Sequence, residues 1–277
     1  MATITPTEQV RLSDLPPAHG RAGLMGTLRS EFTKIRSVRS TYWTLLALIV
    51  VCIGLTALIS GETAAHWNQV GPERANFDAT NNSLNSLYLG QLVIAVLGAL
   101  VITTEYSTGM IRTSLTAMPR RGVVFAAKAL AFGVIALVVG EVLSFIMFFL
   151  GQSLLHSTGH SASISDPGVL RAVVGGGLFL AACGLFSFGI GAILRHTAGA
   201  ISAAIGLLFV LPIISSAFPQ SWQNDLDKFL PSNAGAYIWS TRTQQYMYGH
   251  WTEFLIFAAY TVALLVVGLI LFRTRDA

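Results

Sequence analysis

The sequence predicts an all-α integral membrane protein: six transmembrane helices preceded by an amphipathic interfacial helix, with both termini in the cytoplasm. Three observations carry that prediction. First, apolar runs over about residues 41–60, 84–104, 129–150, 170–194, 198–218 and 254–272 are each long enough to cross ~30 Å of hydrocarbon as a helix rising 1.5 Å per residue. In lipid a spanning segment must satisfy its own backbone polar groups, which selects helices over isolated strands. Second, hydrophobic residues form 53% and charged residues 11% of the 277-residue chain, against about 25% charged in soluble domains. A water-soluble fold would leave much of that apolar surface exposed.

Third, lysine and arginine are partitioned. With six spans both chain ends share a side. That side collects Arg11, Arg21, Arg29, Lys34, Arg36, Arg39, Arg112, Arg120, Arg121, Lys128, Arg195, Arg273 and Arg275, thirteen of the 17 basic residues. The other side holds Arg74, Arg171, Lys228 and Arg242. The positive-inside rule then places both termini in the cytoplasm of a multi-pass plasma-membrane protein. The net charge of +4 follows from this topology and calls for no nucleic-acid partner.

Residues 1–23 are polar, contain Pro16-Pro17 and lack an apolar run, so they read as a disordered cytoplasmic tail rather than a cleaved signal. Over residues 24–40, Leu24, Met25, Leu28, Phe32, Ile35 and Val38 share an arc of about 140° at 100° per residue, and Arg29, Thr33, Lys34 and Arg36 project elsewhere. This is the pattern of a basic helix lying in the membrane interface, with Glu31, Lys34, Arg36 and Arg39 as its charged candidates. Glu31 falls inside the apolar arc, which only contact with protein would explain. The plainer reading is a helix that supplies positive-inside charge.

Residues 41–277 form the six-helix domain. The first outer loop, 61–83, is polar and carries Glu62, Glu73 and Asp78. A segment dense in charge and turn formers, 105–128, joins spans 2 and 3 in the cytoplasm. The outer stretch 152–168, rich in Ser, His and Gly, reads as a flexible loop ending at Asp166-Pro167-Gly168. Gly175-Gly176-Gly177 with Gly184, Gly189 and Gly191 mark span 4 as a close-packing helix, and the short turn Arg195-His196-Thr197 makes spans 4 and 5 an antiparallel hairpin. The segment 219–251 gathers Trp222, Tyr237, Trp239, Tyr246, Tyr248 and Trp251. Such residues favour the headgroup zone, so short or re-entrant helices hugging the outer interface are expected there.

No GxxxxGK[ST], HExxH or GxSxG occurs. The chain therefore has no Walker loop for nucleotide phosphates and lacks the commoner signals of a metalloprotease or esterase, so no catalytic or metal-ligating residue is assigned. His156 and His160 share an i, i+4 spacing, but Gly159 and the surrounding serines argue for a solvated loop. Cys52 and Cys183 lie inside spans and read as small packing residues. Glu141 sits about 20 Å along the helix from Lys128, deep in span 3. A carboxylate there is costly. It is either a translocation-path or switch residue, or a neutral acid hydrogen-bonded to a neighbouring helix.

EYSTGMIRTSLTAMPRRGVVFAAKAL, Glu105 to Leu130, together with EFTKIRSVRSTYW before span 1, resembles the permease subunits of type-2 ATP-binding-cassette exporters, particularly the actinobacterial kind. In that family a Glu-x-x-x-Gly element ends span 2, and a Pro-x-x-(Arg) element and a Lys precede span 3. The matching residues are Glu105, Gly109, Pro119, Arg120, Arg121 and Lys128, with Arg112 between them. The resemblance implies that this segment forms a short coupling helix docking on a cytoplasmic ABC ATPase, supported by the interfacial helix. Glu105 is expected to cap the following turn or to face a basic residue of that ATPase. The resemblance further implies two ATPase copies and a second permease chain, a homodimer or a sister permease, around the path. No cofactor is expected on this chain, and ATP and Mg belong to the partner. Family members export drugs, antibiotics, peptides, lipids or glycan precursors, and short chains such as this one resemble the drug and peptide exporters. A plain basic loop facing anionic lipid is the bland alternative for 105–128. A secondary transporter or channel without an ATPase is the alternative for the whole, and would need paired intramembrane charges or broken helices in repeated halves.

Overall fold

The computed structural model describes residues 24–69, 77–118 and 120–275; the tail expected over 1–23 lies outside them. Twelve α-helices, a few short 3-10 or π turns and no strand occur among the described residues. An interfacial helix, α1 (Leu24–Ser37), leads into α2 (Arg39–Ala65). A short α3 (Ala79–Leu84) precedes α4 (Leu87–Ser107), and α5 (Met110–Ala117) leads to α6 (Arg121–Leu155). Next come α7 (Val169–Leu194), α8 (Thr197–Ile205) and α9 (Leu211–Ser215), the short α10 (Gln220–Asp227) and α11 (Pro231–Ala236), and finally α12 (His250–Thr274). Six segments are long and apolar enough to cross a membrane: α2, α3–α4, α6, α7, α8–α9 and α12. The protein is an all-α membrane protein.

Several bounds differ from the sequence expectation for physical reasons. The helix over 24–40 breaks at Val38, whose extended backbone separates α1 from α2. Both α2 and α6 run past their apolar cores into residues expected as outer loop, because nothing in 61–65 or 151–155 breaks a helix. At roughly 52 Å by its rise, α6 overshoots the hydrocarbon and begins inside the segment expected to connect spans 2 and 3. The fifth span is not a uniform α-helix. Pro212 has no N–H for the carbonyl four residues back, and the ladder widens into a π turn over Gly206–Val210, with the Leu211 N–H on the Gly206 carbonyl.

At the centre stands α7. It packs against α4, α6, α8 and α12, and most of its residues are buried. In lipid such packing depends on van der Waals contact, so small residues set how closely backbones approach. A Cβ on Gly98 of α4 would run into the Gly184 carbonyl of α7. On one flank α2 packs on α4 and α6, and on the other α8 packs on α4. Cys52 and Cys183 are free thiols buried in this core.

Two surfaces cap the bundle. One, the basic face, carries α1, α5, the start of α6 and the end of α12. The opposite face carries α3, α10, α11 and the loops between them. On that opposite face Trp222, Tyr248 and Trp251 are exposed, but Tyr237 and Trp239 are buried. Trp239 sits under α7 and meets the Tyr88 ring edge-on at 5.0 Å. These two aromatics therefore pin the segment to the bundle instead of lying among headgroups.

Candidate functional site

The residues that the sequence marks on the basic face fall into one assembly and several outliers. The assembly starts on α1. Thr27, Glu31 and Ile35, spaced by four, are buried where α1 lies on α6, whereas Met25 and Phe32 face outward. The apolar arc read from the sequence is thus split between protein and surroundings. Glu31, the residue that did not fit the arc, is on the protein side at 1% exposure.

Glu31 Oε2 accepts from Lys128 Nζ, which also donates to Glu105 Oε1 at 2.6 Å. Lys34, one turn along from Glu31, donates to Glu31 Oε1 at 2.6 Å and to Ser114 Oγ of α5 at 3.0 Å, with its Nζ 3.5 Å from Glu105 Oε1. Two carboxylates and two ammonium groups thus form a neutral cluster that ties α1, α4, α5 and α6 together. Lys128 is only 2% exposed and Glu105 7%. Charges so deeply enclosed persist only when paired and hydrogen-bonded. Lys34 is the half-open member. Burial works against its charge, but the Glu31 and Glu105 carboxylates outweigh that, and its pKa stands above the ordinary lysine value.

Glu105 neither caps a turn nor faces outward. The α4 helix continues past it to Ser107, with Thr108 as its cap residue. Its second oxygen, Oε2, is buried without a hydrogen-bond partner among the described residues. Beside it lies a cavity of about 270 Å³, apolar along Ile35, Leu97, Leu100 and Val101 and closed at its polar end by Lys34, Glu105 and Lys128. Gly109 sets the angle at which α5 leaves α4. Its φ of +71°, in the left-handed region that favours glycine, turns the chain between the two helices.

The other marked residues lie elsewhere. Arg120 is exposed at the start of α6, and Arg36 and Arg39 are exposed outside the cluster. Arg112 rides on α5, and Pro119 lies outside the described residues. Arg121 bonds the Arg275 carbonyl at 2.9 Å, fastening the end of α12 to α6. This bond belongs to a second network that the sequence did not suggest. Arg195 Nη2 donates to the Leu271 carbonyl at 3.1 Å and its guanidinium lies 4.9 Å from the centre of the Tyr106 ring, while Arg275 reaches the Ile193 carbonyl. The clustering of Arg273 and Arg275 at a helix end was the available signal.

Glu141 is half-buried on α6, well away from the cluster. Its carboxyl lies against the Gly177 backbone of α7 and makes no hydrogen bond among the described residues. No group of three or more metal-binding side chains occurs among the described residues, and His160 instead packs on Trp67 at 4.6 Å. The opposite face holds two carboxylates that the sequence did not mark as functional candidates, Asp227 and Glu253, both buried.

What the buried ionic joint does in the structure is tie a surface helix, a short helix and the ends of two spans together. Residues 27–215, more than half of the chain, match the family described as ABC-2 family transporter protein. The chain belongs to this family. It is a membrane-embedded transport component, an ABC-2 type permease, and the family in general implies an ATPase partner and a dimeric arrangement. No curated protein matches the chain. The match begins within α1 and ends with α9, so all four residues of the ionic joint lie inside the family region of this permease.

Proposed function

We propose that this permease is the membrane-spanning subunit of an ABC exporter in the plasma membrane, driven by a separate cytoplasmic ATPase, and that the basic face is the cytoplasmic face. The observation that supports this reading best is the Glu31–Lys34–Glu105–Lys128 joint. A subunit without a nucleotide site must receive work through contact, and a rigid joint between the surface helices α1 and α5 and spans 2 and 3 is what such transmission needs. On this reading α5, with Met110, Thr113 and Thr116 exposed, is the docking helix. Arg112 belongs to it and Arg120 follows it, Arg36 and Arg39 face anionic headgroups or the ATPase, Glu105, Gly109 and Lys128 hold the docking segment in shape, and Arg121 fastens the end of the last span beside it. Two ATPase copies, each with ATP and Mg, serve two permease chains, and the path runs between the chains. The cargo class is a drug, a peptide or a lipid-like molecule, and Glu141 lines the path or a switching interface.

The test is co-purification. Co-expressed with a candidate cytoplasmic ABC ATPase, the chain should purify with it in detergent at one-to-one stoichiometry, and the chain alone should show no ATP binding. Arg120→Glu, an exposed change, should leave thermal stability within about 0.5 kcal/mol of wild type while lowering ATPase recovery several-fold. Nucleotide affinity of the isolated chain, or ATPase recovery untouched by both Arg120→Glu and Met110→Asp, overturns the assignment.

A further inference from the structure

The opposite face contains a polar pocket that the transport reading does not use. It has a volume of about 250 Å³ and lies between the outer end of span 2 and the α10–α11 segment, lined by Tyr88, Asp227, Asn233, Tyr237, Arg242 and Tyr246 among others. That volume is just below the ~300–1,000 Å³ of drug-sized sites, so the fitting ligand is small.

Its walls are held in place. Asp227 Oδ1 accepts from Asn233 Nδ2 at 2.8 Å and shares the Ser215 hydroxyl of α9, at 3.2 Å, with the Pro212 carbonyl, which lies at 2.8 Å. The Tyr237 hydroxyl accepts from the Gln244 N–H at 2.9 Å, and its ring stacks on His250 at 4.5 Å and 5°. Tyr88 is braced edge-on by Trp239. The chemistry of the pocket is set by what remains. Asp227 is 8% exposed, yet its Oδ2 takes no hydrogen bond among the described residues and is not sealed off from the cavity. An unpaired oxygen on a largely buried carboxylate at a cavity wall is an acceptor for a charged donor, because burial makes an uncompensated charge costly. The other charged wall residue, Arg242, is exposed, so water screens it far more than it screens Asp227. Burial first, then the nearby Asp227 carboxylate and Tyr237, push the Tyr246 hydroxyl above the ordinary tyrosine value, which places that ring in a desolvated spot beside Asp227. Tyrosine faces attract cations. A neighbouring contact repeats the pattern, with Lys228 Nζ 5.8 Å from the Tyr248 ring centre.

We propose that this pocket binds a small organic cation, an ammonium group whose anionic partner is Asp227 Oδ2 and whose apolar body lies against the rings of Tyr88 and Tyr246. Bound there, the cation bridges span 2 to α10 and α11, and through the Asp227–Ser215 hydrogen bond to span 5.

The probe is phenethylamine, compared with the neutral 2-phenylethanol and the anionic 3-phenylpropionate, titrated into the full chain in detergent and read by intrinsic fluorescence and calorimetry. The amine should bind saturably and at least tenfold more tightly than either isostere. Asp227→Asn should weaken amine binding at least tenfold, since its carbonyl oxygen keeps the acceptor for Ser215 and Asn233 while the charge is gone. If that variant does not fold, Tyr246→Leu decides, removing one ring with no hydrogen bond of its own among the described residues; it should weaken the amine several-fold. Equal binding of amine and alcohol, no saturable amine binding, or amine affinity unchanged in the folded variants overturns the site. None of these outcomes bears on ATPase coupling, which is read separately by co-purification.

Discussion

Lys128 and Lys34 are both lysines in one cluster, and their surroundings assign them different weights. Lys128 is 2% exposed and bonds two carboxylates, so Lys128→Met leaves Glu31 and Glu105 sharing only the half-open Lys34. Breaking a buried pair by removing one partner costs about 3–5 kcal/mol. The Lys34 side chain is 30% exposed, and its loss leaves each carboxylate with a bond to Lys128. Lys34→Met should therefore cost far less than Lys128→Met in detergent thermal denaturation, and equal losses would mean that the joint is not the buried unit described. The same residues show where sequence reasoning stopped. The sequence marked Glu31, Lys34, Glu105 and Lys128, but as members of separate groups. The bond from Lys128 to Glu31 spans 97 residues of chain and that to Glu105 spans 23, and no local pattern carries such a pairing. The one legible clue was a misfit, a glutamate on an apolar arc, which pointed to protein contact without naming the partner.

At the scale of elements the spans were legible because length and apolarity are local properties, and lipid leaves the helix as the only conformation for them. What was not legible was where helices overshoot, as α6 does, or widen, as span 5 does at Pro212. Those outcomes depend on neighbours and on a missing hydrogen-bond donor. The α10–α11 segment is the element that sequence resolved least, since its buried aromatics and Asp227 answer to packing against spans 2, 4, 5 and 6. Burial raises the Asp227 pKa, against the smaller opposing effect of its hydrogen bonds from Ser215 and Asn233. The docked segment thus holds the Asp227 proton more tightly than the undocked one. Its contribution is fully present below the ordinary value of about 3.9 and is lost as pH rises through the raised one. With no ligand added, amide protection over residues 220–236, corrected for intrinsic exchange, should fall between acid and neutral pH, and Asp227→Asn should remove that fall. A fall that persists in Asp227→Asn assigns the dependence to another group.

For the whole molecule, the bundle leaves one intramembrane charge without a hydrogen-bond partner among the described residues. Glu141 lies against Gly177, and on its flank Val134, Val138 and Val142 present an exposed stripe along α6. An intramembrane carboxyl of this kind ordinarily faces a bundle interior or an aqueous cavity. The described residues supply no hydrogen bond to it, and contact with cargo, water or a second permease chain is the expectation that variants test. This separates two kinds of variant. Since no such intrachain bond is lost, both Glu141→Gln and Glu141→Leu should fold and keep detergent stability within about 0.5 kcal/mol of wild type. If the carboxyl meets cargo or a moving interface, Glu141→Gln, which keeps shape but not charge, should alter the transport rate or its pH dependence. Glu141→Leu, which keeps neither, should reduce transport further. Transport measured side by side in vesicles containing permease and ATPase decides the matter: rates equal to wild type in both variants would remove Glu141 from the proposed path. A Leu variant that fails to assemble beside a normal Gln variant would make the residue a structural hydrogen-bond donor between chains.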